Sequence, residues 1–292
     1  MILSYPSERI ARKKLEELRR RIKEKETILV AFSGGVDSGF LLSVAHEAQA
    51  ENVLAVTIDS ELFPKRELEH VKGFLNHAGI AYKIVPSYPL RNENFAMNPY
   101  NRCYYCKKFF SQILKAVAAE EGITTIAEGV TLSDFDEYRP GIAASEEEGI
   151  WHPMAEVGIT KPEVRQMAKE MGLPFWDKPS NSCLATRIEY GERITADKLE
   201  MIAAAENFLM DNNSFRQVRV RLHRGAIARI EVDKHELKRF FNTETRDNIV
   251  KGLKKLGFNY VSIDLEGYRS GSMGENSKHQ APNYKYGHSE NY

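Results

Sequence analysis

The stretch Ile28-Leu-Val-Ala-Phe-Ser-Gly-Gly-Val-Asp-Ser38 constrains this chain more than any other. Ile28 to Phe32 form an unbroken apolar run, the pattern of a strand buried on both faces of a parallel sheet. Ser33, Gly34, Gly35, Val36, Asp37 and Ser38 then turn the chain into a helical run from Gly39 to Ala50. Paired glycines after a strand permit positive φ and let backbone N–H groups approach an anion. The helix N-terminus behind them adds roughly half a positive charge, so the turn suits phosphate or pyrophosphate. A bare Gly-Gly would indicate only a tight turn of an α/β domain. The full Ser-Gly-Gly-x-Asp-Ser string between strand and helix indicates a nucleotide. Its glycine spacing fits neither the Walker loop nor the dinucleotide fingerprint.

The flanking sequence alternates in the same way. Val53 to Ile58 reads as a buried strand ending in Asp59-Ser60, followed by a helix from Arg66 to His77 and a strand from Ala81 to Val85. A helix from Cys106 to Glu121 and a strand from Thr124 to Ala127, ending in Glu128-Gly129, continue the series. Strand–helix–strand order predicts a parallel sheet with right-handed crossovers and ligands beyond the carboxyl ends of its strands. Thr57, Asp59 and Ser60 are therefore candidates to meet adenine or ribose, or else ordinary loop residues. Ser7 to Lys25 reads as an amphipathic surface helix, Arg91 to Cys106 as a loop, and Gly141 to Glu148 as a short helix. Thr160-Lys-Pro-Glu163 is a capping box opening a helix to Met171.

The pattern changes near Arg193. Thr195 caps a helix to about Met210; strands Gln217 to His223 and Ala226 to Asp233, a helix Thr243 to Leu256 and a strand Phe258 to Leu265 follow. The expected organisation is a nucleotide domain over 1–193, a small α+β domain with an antiparallel sheet over 194–271, and a disordered polar tail over 272–292.

Forty-one basic and 41 acidic side chains cancel, so no global field draws nucleic acid or membrane. No apolar run approaches the ~20 residues of a membrane span, and the N-terminus lacks a signal-peptide core, which predicts a cytoplasmic protein. Three cysteines, Cys103, Cys106 and Cys183, are an odd number in a reducing compartment, which argues against structural disulfides and for metal or catalytic use. Their spacing leaves three readings open: an iron–sulfur cluster with one iron free of protein ligands, a zinc site for which His152 would be the fourth ligand although nothing local argues for it, or a redox pair with a buried thiol.

The Ser33–Ser38 loop resembles the pyrophosphate loop of the ATP pyrophosphatases, which adenylate a substrate oxygen and release pyrophosphate. More selective strings accompany it: Asp136-Glu-Tyr-Arg-Pro-Gly141, Cys183-Leu-Ala-Thr-Arg-Ile-Glu-Tyr-Gly191, Val218-Arg-Val-Arg-Leu-His223, Ala228-Arg-Ile-Glu231 and Asp264-Leu-Glu-Gly-Tyr-Arg-Ser-Gly271. Together, from about Glu8 to Gly271, they resemble the LarE family of ATP-dependent pyridinium-3,5-biscarboxylic acid mononucleotide sulfurtransferases. These make the nickel-pincer cofactor of lactate racemase.

The resemblance implies an α/β fold with a parallel sheet of the PP-loop ATP pyrophosphatase (adenine nucleotide alpha hydrolase-like) type, a smaller C-terminal α+β domain, and a homo-oligomer. It implies ATP with Mg2+, a small-molecule nucleotide substrate, and a sulfide donor. Ser33, Gly34, Gly35, Asp37 and Ser38 would hold the phosphates, Asp37 would lie near magnesium, and Gly129 would sit where the nucleotide passes. Lys107 and Arg187 would neutralise the leaving pyrophosphate or the acyl-adenylate. Arg219 and Arg221, on one face of a strand, would grip an anionic substrate in fork geometry, with a salt-bridged sheet surface as the other reading. Glu206 would bind magnesium or the substrate, or simply solvate its helix. The family has two sulfur sources: a [4Fe–4S] cluster on three cysteines, which Cys103, Cys106 and Cys183 resemble, or a sacrificial cysteine in the loop of Cys183. Outside this resemblance stand a tRNA-thiolating or amide-forming PP-loop enzyme and a non-enzymatic nucleotide- or metal-binding adaptor.

Overall fold

The computed structural model describes residues 6–136, 139–179, 181–269 and 272–273. The chain divides into two compact units, one of residues 1–96 and 101–183, the other of residues 97–100 and 184–292. The change of unit thus falls at 183/184, where the composition shift pointed to the neighbourhood of Arg193.

In the first unit the order is α1 (Pro6–Lys23), β1 (Ile28–Ala31), α2 (Val36–Gln49), β2 (Val53–Ser60), α3 (Lys65–Ala78) and β3 (Tyr82–Ser87). It continues with α4 (Glu93–Ala96), α5 (Arg102–Glu120), β4 (Thr125–Glu128), α6 (Pro140–Glu147), α7 (Pro153–Glu156) and α8 (Lys161–Glu170). The strands form one parallel sheet in the order β3-β2-β1-β4. Side chains alternate across it. Ile28, Val30, Val53 and Ala55 enter a core shared with Leu18, Phe40, Leu42 and Leu75, whereas Leu29 and Val56 face Leu114, Val117 and Ile126 on the other side. Both faces are therefore covered, which is why β1 reads as a continuous apolar run. Leu18 and Ile22 of α1 are fully buried in that first core, each contributing roughly 1.5–3 kcal/mol.

Two features of this unit bear on function. The strand order reverses direction between β1 and β4, so the carboxyl ends of these neighbours flank a topological switch point. The segment expected as loop up to Cys106 is helical from Arg102, so Cys103 and Cys106 lie inside the first turns of α5. The helix reaches back beyond the expected start because Arg102 is buried rather than a solvated loop residue. Thr160 and Glu163 do form the capping box at the start of α8.

The second unit contains α9 (Ala196–Asn213), β5 (Val218–His223), β6 (Ile227–Val232), α10 (Thr243–Lys255) and β7 (Tyr260–Ile263). Thr195 caps α9 by accepting from the Lys198 N–H at 3.3 Å. The sheet order is β5-β6-β7, and here the expectation of an antiparallel sheet needs correction: β5 pairs antiparallel with β6, but β7 runs parallel to it. The tight turn at Gly225 (φ 76°) reverses the chain between β5 and β6, whereas α10 carries it back across the sheet before β7 and restores the direction. Of the expected tail, Ser272 is buried and donates to Glu231 at 2.6 Å; residues 274–292 lie outside the described residues.

Candidate functional site

The first unit presents its loop as a backbone cradle. Gly35 occupies the N-cap of α2 with φ −86° and ψ 168° and supplies no side-chain cap, so the helix N-terminus offers its N–H groups to a ligand. Gly34 takes φ +74°, and a Cβ there would lie 2.7 Å from Cγ2 of Val71, so conformation and space both require glycine. The Ser38 hydroxyl accepts from the Ser33 N–H at 3.2 Å and lies 3.0 Å from the Ser33 hydroxyl, closing the turn on itself. Gly129, leaving β4, packs against the same turn: a Cβ on it would lie 2.5 Å from the Ser38 nitrogen.

Charge surrounds this cradle. Burial pushes the Asp37 carboxyl above its ordinary pKa and Asp134 adds to the shift, against the opposing fields of Lys161, Arg165 and Arg139. Asp134 is itself buried, accepts from Thr131 at 2.8 and 2.9 Å, and pairs with both Arg139 and Lys161 at 2.6 Å. Lys107 pairs with Glu128, whose other oxygen lies 2.9 Å from Nε2 of the buried His152. Burial alone would raise the Glu128 carboxyl, but the Lys107 ammonium and the hydrogen bonds of His152 and Lys107 hold it at about 2. Of the candidates at the end of β2, the Thr57 hydroxyl is buried and donates to the Phe32 carbonyl at 2.8 Å. Ser60 accepts from the Leu62 N–H at 3.4 Å, and Asp59 is exposed.

All three cysteines belong to this unit, and none of them forms a disulfide. Burial, then Cys183, then Cys103 raise the Cys106 thiol well above its ordinary pKa, so the three sulfurs stand in one another's field. Among the described residues, no three His, Cys, Asp or Glu side chains converge as ligands of a single metal ion. A cubane makes a looser demand, because its three thiolates bind separate irons, and an all-thiol donor set is the usual one for such clusters.

The second unit is organised around buried ion pairs. Arg187, with no exposed surface, donates through Nε and Nη2 to the two oxygens of Glu206 at 2.9 and 3.1 Å. Glu206 also accepts from the Val220 N–H at 3.0 Å. Arg221 donates to Glu231 at 2.7 Å and to the Thr186 carbonyl at 3.0 Å. Arg219 donates to the Val218 carbonyl at 2.8 Å, and its guanidinium lies 5.3 Å from the Tyr268 ring. Burial, and then the neighbouring Arg187, lower the Arg219 pKa, as expected where cations crowd out of water.

Residues 6–138 match the PP-loop domain family. The chain is 34% identical over 257 residues to the pyridinium-3,5-bisthiocarboxylic acid mononucleotide synthase of Lactiplantibacillus plantarum, covering 87% of this chain and 91% of that one. The chain belongs to this synthase family. An uncharacterized Synechocystis protein, slr1717, is 39% identical over 89% of this chain and 96% of its own length. A glutamine-hydrolyzing GMP synthase component of Methanococcus maripaludis shares 28% identity over only 58% of this chain and 57% of its own.

As a member of the synthase family the chain is an ATP-using enzyme with a PP-loop nucleotide domain. Its first unit brings Ser33, Gly34, Gly35, Asp37, Ser38 and Gly129 to one sheet edge. Its second unit holds Arg187, Glu206, Arg219 and Arg221 in one buried polar layer. The pairings Glu128–His152, Lys178–Gly34 and Asp134–Lys161 escape sequence reasoning, because each joins residues tens of positions apart that no spacing rule links. The Thr-Lys-Pro-Glu box is a partial signal for Lys161, since it places that lysine at a helix start. Glu137 and Tyr138 of the Asp136–Gly141 string, and Ser270 and Gly271 of the last string, lie outside the described residues. Among the described residues no helix is long and apolar enough to cross a membrane.

Proposed function

We propose that this chain is an ATP-dependent sulfurtransferase that adenylates a carboxylate of a small nucleotide substrate and converts it to a thiocarboxylate. It acts in the cytoplasm as a homo-oligomer, in biosynthesis of the nickel-pincer nucleotide of lactate racemase. The observation that carries this reading is the presence, in one compact unit, of an uncapped helix N-terminus behind Ser33–Ser38 and of the three thiols Cys103, Cys106 and Cys183. The similarity to the bisthiocarboxylic acid synthase supports the choice of substrate.

The backbone of Ser33–Ser38 holds the phosphates, and Asp37, an oxygen donor at the first turn of α2, would hold Mg2+ to compensate pyrophosphate charge. A substrate carboxylate oxygen bonds to the α-phosphorus as the bond to the β-phosphate oxygen breaks, and pyrophosphate leaves. Lys107 offsets the developing negative charge, with Glu128 and His152 fixing its ammonium. A sulfur nucleophile then attacks the acyl carbon and AMP departs. Cys103, Cys106 and Cys183 would hold a [4Fe–4S] cluster, which when bound supplies sulfide taken from an external donor. Arg187, ordered by Glu206, Arg221, ordered by Glu231, and Arg219, set over the Tyr268 ring, recognise the anionic groups of the substrate.

Anaerobic purification with iron and acid-labile sulfide analysis tests the sulfur source, alongside products counted per chain. A brown protein, bleached by replacing any of the three cysteines, should turn over repeatedly with supplied sulfide and keep its mass. A colourless chain that works once and loses the mass of a single hydrogen sulfide molecule, with Cys183 left as dehydroalanine, assigns the sulfur to Cys183 instead. Release of ADP and orthophosphate rather than AMP and pyrophosphate removes the adenylation step.

A further inference from the structure

The nucleotide loop contains a peptide whose orientation its own residues leave open. Gly34 and Gly35 flank it without Cβ atoms, so it can rotate at little steric cost. In a trans peptide the C=O and N–H point in opposite directions. Whatever grips the Gly34 carbonyl therefore also aims the Gly35 N–H. That grip comes from Lys178, whose ammonium donates to the Gly34 carbonyl at 2.9 Å. The same ammonium pairs with Glu67 at 2.6 Å, and the side chains are only 23% and 14% exposed, so solvent screens the pair less than a surface one. Glu67 stands one helical turn before Val71, the residue packed against Gly34, so α3 addresses the loop through both. Behind the lysine, Arg165 donates to the carbonyls of Trp176 at 3.0 Å and of Lys178 itself at 2.9 Å, fixing the backbone that carries it.

We propose that Lys178 is a positioning residue of the nucleotide site: it holds the Gly34 carbonyl away from the anion and so aims the Gly35 N–H at the pyrophosphate. Without it the glycine peptide samples the flipped state, in which a carbonyl oxygen faces the phosphates and repels them. Glu67 and Arg165 hold the lysine in register. The inference rests on reading Ser33–Ser38 as a phosphate site and adds to it a residue that need not touch the ligand.

Calorimetric titration of the full chain with inorganic pyrophosphate, α,β-methylene-ATP and AMP tests this. Lys178→Met should weaken pyrophosphate and the ATP analogue about tenfold, the range of one hydrogen bond to a charged group, and weaken AMP less. Lys178→Arg, still a cationic donor, should recover most of the loss. Glu67→Gln loosens the lysine and should weaken pyrophosphate by about threefold. If Lys178 instead bound phosphate directly, Glu67→Gln would release its charge and tighten binding; that result overturns the proposal, as does unchanged affinity in Lys178→Met. A wild-type chain that binds neither pyrophosphate nor the ATP analogue removes the phosphate reading itself and this proposal with it. Normal wild-type binding with indifferent variants removes the role of Lys178 alone.

Discussion

The two units arrange their polar groups in opposite ways. The first builds its cradle from backbone: glycines at 34, 35 and 129, an uncapped helix start, and charged side chains around the rim. The second buries its charges, pairing Arg187 with Glu206 and Arg221 with Glu231. A backbone cradle depends on shape, and tolerates changes of nearby charge better than an added methyl group. A buried ionic layer depends on neutrality. Removing one partner strands the other in a low-dielectric interior, which costs more than the pair contributes to stability while intact.

That contrast can be broken most severely at Glu206. Glu206→Gln keeps the shape but leaves Arg187, with no exposed surface, without its carboxylate. The second unit should lose about 3–5 kcal/mol. Denaturant unfolding followed by hydrogen exchange resolved to α9 and β5 would show it. A loss confined to a few tenths of a kcal/mol would mean the layer is hydrated and the contrast with the cradle is false.

Glu128 tests whether charge matters at the cradle's edge. Its folded-state pKa of about 2 lies below the ordinary 4.5. A depressed carboxylate pKa gives stability that is fully present above about 4.5 and is lost as pH falls towards 2. The shift corresponds to about 3 kcal/mol as an order of magnitude. Glu128→Gln should therefore be clearly destabilised at pH 7, and the gap from wild type should close on titration from pH 5 towards pH 2. A gap independent of pH over that range would assign the loss to packing instead.

Gly129 sharpens the shape side of the comparison. In Gly129→Ala the new methyl would sit 2.5 Å from the Ser38 nitrogen, so the loop must move. Displacement of about 1 Å in a reacting geometry costs about a hundredfold in rate. ATP cleavage measured by pyrophosphate release should fall by that factor, while hydrogen exchange in the second unit stays as in wild type. An enzyme of normal activity would show that the loop yields without consequence.

How much of this is legible in the chain varies with the range of the interactions. β1, the Ser33–Ser38 turn and α2 follow from adjacent residues, because apolar runs and glycines act locally. The capping box at Thr160 and the N-cap at Thr195 are legible for the same reason. α5 starts at Arg102 rather than at the expected Cys106, since the burial of Arg102 is a tertiary fact that no local propensity encodes. The parallel placement of β7 likewise depends on the path of α10 across the sheet, which alternation of side chains does not specify.

By itself, then, the sequence determined a parallel α/β nucleotide unit with a glycine turn between β1 and α2, because periodicity and glycine geometry are properties of neighbouring residues. It also identified the arginines of β5, since alternation fixes which residues share a face. Only the tertiary structure decided what those arginines touch. It set Arg187 against Glu206 and Arg221 against Glu231, with separations of 19 and 10 residues. It also set Lys178 against a carbonyl 144 residues away. The physical reason is that a buried charge selects its partner by position in space, and chain folding assigns that position after local structure has formed.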